Sequence, residues 1–265
     1  MLSAHYKNNQ VLVASIITVA CVLGIGFLQQ IQMTKLNSIS QTKSSETLKR
    51  EAEIERKHLN LMQQLPSFGF KNLVADFTFL KFLQYFGDES TRNKIGYGLS
   101  PEYFQVIIKR DPFFLEAYRF LSSSTTLYAG MPEQTIALIE QGLKHISPQV
   151  PSKSYYVWRY KGTDELLFLG NPQAAKHSYE IAARWASFYS DIESKNAASL
   201  SRQSAQFLTT NPKSKLAQVS AWILILDNAF DDLTRKSAIA RIQALGGKIS
   251  ITPEGAVNIQ FPQQD

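Results

Sequence analysis

The sequence predicts an all-α protein: an N-terminal transmembrane helix, then an α-solenoid of paired helices, then a small C-terminal β-hairpin. Three observations predict it. Val11–Leu28 runs for eighteen residues without a charge. Pro132, Pro172 and Pro212 recur every forty residues, behind the pairs Gly130-Met131, Gly170-Asn171 and Thr210-Asn211. Beyond Gly246-Gly247, apolar and polar residues alternate on both sides of Pro253-Glu254-Gly255. Proline suits the first helical position, where its missing N–H has no partner to lose, so a constant interval marks one kind of helix start three times. A fixed period of this length is the signature of a helical repeat array.

Residues 1–10 form a polar flank ahead of the run at 11–28. As a helix that run is about 27 Å long, close to the thickness of a bilayer's hydrocarbon core. It is expected to stay as a single-pass anchor. A cleaved signal peptide and a lipidated Cys21 are the competing readings, the second because Val19-Ala20-Cys21 partly matches a lipobox. Against them, no A-x-A-like cleavage site follows, and the apolar run continues seven residues past Cys21. Lys7 precedes the run, while Lys35, Lys43, Lys49 and Arg50 follow it. The basic count favours a cytoplasmic C-terminal domain and the short N-terminal flank favours the opposite, so the side of the membrane stays open.

Residues 29–65 read as a polar spacer and a charged stalk helix, Glu46–Leu65, broken by Pro66 and Gly69. The repeat domain occupies 66–247. Phe70–Phe86 reads as a densely apolar helix, and Asp88–Gly98 as a polar loop. Ser100-Pro101-Glu102 reads as a capped helix start, and Asp111-Pro112 as a second start for a helix through Tyr128. Helices then open at Pro132, Ser152, Pro172, Asp191, Pro212 and Asp231. Each pair buries its apolar stripe only by stacking on its neighbours. Lys248–Phe261, within the last segment 248–265, carries the β-branched alternation of a hairpin.

The net charge of +6 is spread thinly, with seven Lys/Arg against four Asp/Glu in residues 1–65 and twenty-one against eighteen beyond. No clustered basic stripe marks a nucleic-acid binder. Catalytic, cofactor and metal signatures are missing as well. His5, His58, His145 and His177 make no pair at metal-ligand spacing, Cys21 lies in the apolar run, and no GxSxG, P-loop or GxGxxG occurs. Asp164-Glu165 and Asp231-Asp232 are adjacent carboxylates, which point in different directions on a helix. A non-enzymatic chain without cofactor or metal is expected.

In the second repeat Gly170, Ala175, Tyr179 and Ala182 fall at the spacing of a turn glycine and the small and aromatic residues of a second helix. Gly130, Ile139 and Gly142 match in the first, with Thr135 in place of an alanine; Thr210 and Lys215 depart from the pattern in the third. These helix pairs resemble tetratricopeptide repeats, at a period of forty rather than thirty-four, with HEAT-like pairs as the alternative. Asn72–Asp88 and Tyr103–Tyr118 also look like a segment of bacterial membrane-anchored tetratricopeptide proteins, which brings no assigned activity. The resemblance implies a concave groove lined by the first helix of each pair. Arg119, Lys153, Arg159, Lys161, Lys195, Asn196 and Arg202 are its candidate partner-binding residues, suited to an acidic segment of another protein. The expected function is a membrane-anchored interaction scaffold or assembly factor. A membrane-tethered enzyme or hydrolase accessory and a structural subunit of a membrane complex are the alternatives.

Overall fold

The computed structural model describes residues 18–19, 21–30, 43–251 and 257–265. Of the expected anchor, residues 11–17 and 20 lie outside the described residues, as do the flank 1–10, most of the spacer and the hairpin turn at 252–256. Residues 21–30 form helix α1. Among the described residues no helix is long and apolar enough to cross a membrane.

The rest is mostly helical: α2 (Ser45–Gln64), α3 (Lys71–Gly87), α4 (Glu89–Ile95), α5 (Ser100–Arg110), α6 (Leu115–Leu121), a π-helical segment (Ser122–Tyr128), α7 (Pro132–Leu143), α8 (Tyr155–Leu167), α9 (Pro172–Ala186), α10 (Ile192–Thr210), α11 (Lys215–Asp227) and α12 (Asp232–Ala244). Strands β1 (Lys248–Ile251) and β2 (Val257–Gln260) pair antiparallel with Ile249 opposite Ile259, which gives the expected hairpin. The chain divides into two compact units, Met1–Glu51 with Glu89–Ile95, and Ala52–Asp88 with Gly96–Asp265. In the first, the Lys94 ammonium donates to the Lys43 carbonyl at 3.1 Å and Lys43 pairs with Glu51.

In the second unit, the inner face of α3 (Ala75, Phe79, Phe82) packs on Tyr103, Phe104 and Ile107 of α5 and on Ala117, Tyr118 and Leu121 of α6. The Phe82 and Phe104 rings lie 4.6 Å apart. Successive helices continue the stacking, α7 on α5 and α8, α9 between α8 and α10, α11 on α10 and α12. The hairpin's Ile249 and Ile259 join Val219, Trp222 and Ile242 in the last cluster. This unit does not end in a free edge. Phe230, between α11 and α12, stacks on Phe120 at 4.6 Å and meets Phe86 at 5.5 Å, and the Tyr128 hydroxyl donates to Asp231, the N-cap of α12.

Several helix starts differ from expectation, each for a local reason. Residues Asp88–Gly98 are not a loop throughout, because α4 forms there with Glu89 in its first turn and Arg92 and Lys94 in its last, charges that suit the helix dipole. Its composition is polar, so no apolar period announced it. Asp111-Pro112 is a turn and not a helix start, since the Asp111 carboxylate accepts from the Phe113 N–H at 2.9 Å and α6 begins only at Leu115. The serines and threonines that follow hold a π-helical rather than an α-helical turn. Leu99, not Ser100, occupies the cap of α5, with Pro101 in its first turn. Pro132 and Pro172 do begin helices, but Pro212 lies in a turn, and Ser214 caps α11 by accepting from the Ala217 N–H. Two of the three periodic prolines therefore share one role.

Gly142 of α7 faces the buried Tyr118 ring. A Cβ there would stand 2.7 Å from Tyr118 Cζ and 2.8 Å from Cε1, and the ring is held by its hydroxyl's bond to the Pro112 carbonyl at 2.7 Å. A helical Gly→Ala change ordinarily stabilises by up to about 1 kcal/mol, but here overpacking opposes it with about 1–3 kcal/mol. Gly142→Ala is expected to lower stability in chemical denaturation. Gly87→Ala, where a Cβ meets nothing within 4 Å, serves as the control and is expected to be neutral or stabilising.

Candidate functional groove between two helices

Asn171 accepts from the Ala174 N–H and fixes the start of α9; Asp191 accepts from the Ser194 N–H and fixes the start of α10. Many of the buried residues on the two helices are small: Ala175, Ala182, Ala183 and Ala186 on α9, and Ala197, Ala198, Ser201 and Ala205 on α10. Small residues let the two backbones approach closely, so the longer side chains flanking this seam form walls. The result is an open groove of about 1350 Å³. His177, Glu180, Arg184 and Phe188 line it from α9 and the turn after it, and Arg202, Gln206, Thr209 and Thr210 from α10. Trp185 adds an apolar wall and is braced edge-on by Trp158 with ring centroids 5.8 Å apart.

The charge balance of the groove is positive. Glu180 is half-committed to Lys176 at 3.9 Å. Arg184 and Arg202 are both exposed and have no ion-pair partner among the described residues. Two free guanidiniums beside Trp185 and the exposed Phe188 can take a carboxylate together with an apolar side chain.

Of the seven residues singled out from sequence, only Arg202 lines this groove. Lys195 and Asn196 are exposed elsewhere on α10. Arg119 pairs with Glu116 and lies 5.3 Å from the Phe120 ring. Lys153 is bonded to Glu193, which draws its proton affinity up and the Glu193 carboxyl's down. Arg159 stacks over Tyr156 at 5.5 Å and faces a 40 Å³ cavity shared with Ser201, Asp227 and Phe261. Lys161 is a correction. It is 7% exposed and pairs with Glu165 and, at 3.3 Å, with Glu140, so it holds the interior together and presents no charge to a partner. Ile223 and Leu224 of α11 and Phe261 of the tail line the 40 Å³ cavity with Arg159, Leu200 and Ser204. Arg184 and His177 were missed because α9 is the second helix of its pair, which the repeat scheme assigns to the outside. Their spacing with Glu180 and Phe188 on one helical face was the available signal.

A buried polar layer lies beneath α8. The Asp164 carboxylate accepts from the Ser122 hydroxyl at 2.9 Å, and Glu165 accepts from Ser178 at 2.6 Å as well as from Lys161. Burial pushes the Asp164 carboxyl up from 3.8 to about 8, against the opposing hydroxyls of Ser122 and Thr126 and with a smaller contribution from Glu165. Asp164 is fully enclosed, so its protonation bears on stability and not on a solvent-facing reaction. An acid with a raised folded pKa costs nothing below its unfolded value, and stability is lost as pH rises from 3.8 towards about 8. Asp164→Asn is expected to flatten the decline of Tm between pH 5 and pH 8, with the two proteins converging at the acid end. Parallel Tm–pH curves would assign the slope to other groups.

No family model matches the chain, and neither curated proteins nor solved structures provide a match.

Proposed function

We propose that this chain is a membrane-anchored, non-enzymatic interaction scaffold of tetratricopeptide-like helix pairs, and that the α9–α10 groove binds an acidic, partly apolar segment of a partner protein. The observation that carries it is the pair of unpartnered arginines, Arg184 and Arg202, set beside Trp185 and Phe188 in an open groove. An extended segment placing a carboxylate between the guanidiniums and an aliphatic or aromatic residue on Trp185 satisfies both kinds of wall. The anchor is the apolar run at 11–28, and the stacked helices of the second unit supply the rigid support. A groove of this openness suits a peptide better than a small substrate, which is normally enclosed on most sides.

The test uses the full chain in detergent and an array of peptides that vary acidic and apolar content. Binding is read by Trp fluorescence, with Trp185→Phe identifying the reporting ring. Acidic-apolar peptides are expected to bind, more weakly at high salt. Arg184→Ala with Arg202→Ala is expected to weaken binding roughly tenfold, equivalent to about 1.4 kcal/mol. Equal binding of neutral peptides, or an unchanged Kd in the double variant, would remove the groove from the function.

A further inference from the structure

Helix α3 is apolar on both of its faces, which a helix at a finished surface is not. Its inner face is spent on the core. On the outside, Phe70 is 65% exposed, Leu73 63%, Phe77 53%, Leu80 59% and Leu83 36%, and Phe68 just before the helix is 84% exposed. Taking about 200 Å² for a fully exposed large side chain, this amounts to on the order of 700 Å² of apolar surface per copy. That is above the ~300–600 Å² of the largest patch on a typical monomer, and near the ~800 Å² each partner contributes to a standard protein–protein interface.

The spacing of the stripe says what kind of surface fits it. Phe70, Leu73, Phe77 and Leu80 stand three and four residues apart in alternation, the a and d positions of two heptads, with Gln84 and Gly87 completing the register. Such a seam fits a second helix of the same register. In that register Asp76 takes a g position and Lys81 the e position five residues on. Between parallel helices, g of one chain meets the following e of the other, so Asp76 meets Lys81. Between antiparallel helices g meets g and e meets e, which sets like charges together. Asp76 is exposed and has no partner among the described residues. The Lys81 ammonium lies 3.7 Å from Glu55 and 5.6 Å from the Phe77 ring, and keeps donor capacity for a second carboxylate.

We propose that α3 is a homodimerisation surface, packing parallel and in register on α3 of a second copy, with Asp76 of each chain opposite Lys81 of the other. Two heptads are short for a free coiled coil, but α3 is already held by α5 and α6 and needs only a partner for its outer face. The parallel direction is also the one that two chains anchored through residues 11–28 in one membrane share. The charge pairing selects it without that premise, so the dimer stands or falls apart from the peptide groove.

The full chain with Cys21→Ser and a single cysteine at Leu73 or Leu80 is reconstituted at a low protein-to-lipid ratio and mildly oxidised. Disulfide-linked dimer is expected at each position separately, with at most a few per cent from the exposed control Lys236→Cys. Adding Asp76→Lys is expected to cut the cross-linked fraction at least fivefold, with unchanged circular dichroism and Tm. Three results would overturn the proposal: no cross-link at either position with a monomeric mass in detergent, cross-linking only between Leu73→Cys and Leu80→Cys chains when mixed, or a bimane label at position 80 quenched by brominated lipid. The second identifies antiparallel packing, and the third a membrane surface as the occupant.

Discussion

Phe230 sits against Phe120 and Phe86 while its neighbour Asp231 receives the Tyr128 hydroxyl, and this contact decides how the second unit is used. It ties the last helix pair to the first across 103 residues of sequence. Aromatic pairs contribute about 0.5–1.5 kcal/mol each beyond the area they bury, and Phe230, which stays 36% exposed, makes two of them. A helical array with free ends has one surface on its inside and another on its outside. In this unit Ile223 and Leu224 of α11 and the tail's Phe261 line the small cavity beside Arg159 of α8. Asp265 fixes the tail that carries Phe261, accepting from the Ser214 hydroxyl at 2.7 Å and the Leu216 N–H at 3.0 Å. The α9–α10 groove proposed for recognition shares no lining residue with this cavity.

The same closure explains the buried charges. Lys161, Glu165 and Asp164 all lie on α8, and α8 is covered by α7, α9, α11 and the π-helical segment. An ion pair taken out of water loses hydration that mutual attraction only partly restores. Here hydroxyls meet part of the remaining demand, Ser178 on Glu165 and Ser122 on Asp164 Oδ1, while Asp164 Oδ2 is buried without a partner. The π-helical segment supplies the Ser122 hydroxyl, and its Thr126 hydroxyl bonds Thr135 of α7. Among the described residues Asp164 has no ion-pair partner, and burial shifts its carboxyl towards the protonated form.

Helix existence was legible because it is written locally. Pro132 and Pro172 preset the first turn, Asp191 and Asp231 cap their helices through their own side chains, and the β-branched alternation beyond Gly247 yields a hairpin. The third proline misled because Asn211 accepts from the Lys213 N–H and holds Pro212 in a turn. The groove was not legible, for a different reason. Its position depends on which face the closure leaves open, and closure rests on Phe230 and Tyr128, residues with no local pattern to flag them. Lys161, taken from sequence as a groove residue, is buried against Glu165 four positions on, because spacing carries no information on burial.

Side-chain size on α9 and α10 links the fold to the groove. Alanine and serine at the contact bring the axes together, and a close seam leaves little depth for its floor. Depth then comes from the rims, where arginine, tryptophan and phenylalanine are among the longest side chains available. A rim of long cations can follow a ligand of varied shape, while a seam of alanines cannot be deepened without prying the helices apart. Specificity in such a groove comes from charge and from one apolar anchor more than from shape. Trp185 is the suited anchor, because its contact with Trp158 of α8 holds the ring in place before any ligand arrives. An aromatic wall fixed in advance loses little conformational entropy on binding, whereas the arginines, free on the surface, lose more. In the proposed complex the apolar contact is therefore the stronger determinant of how long a bound segment stays, and the guanidiniums of how fast and how selectively it arrives.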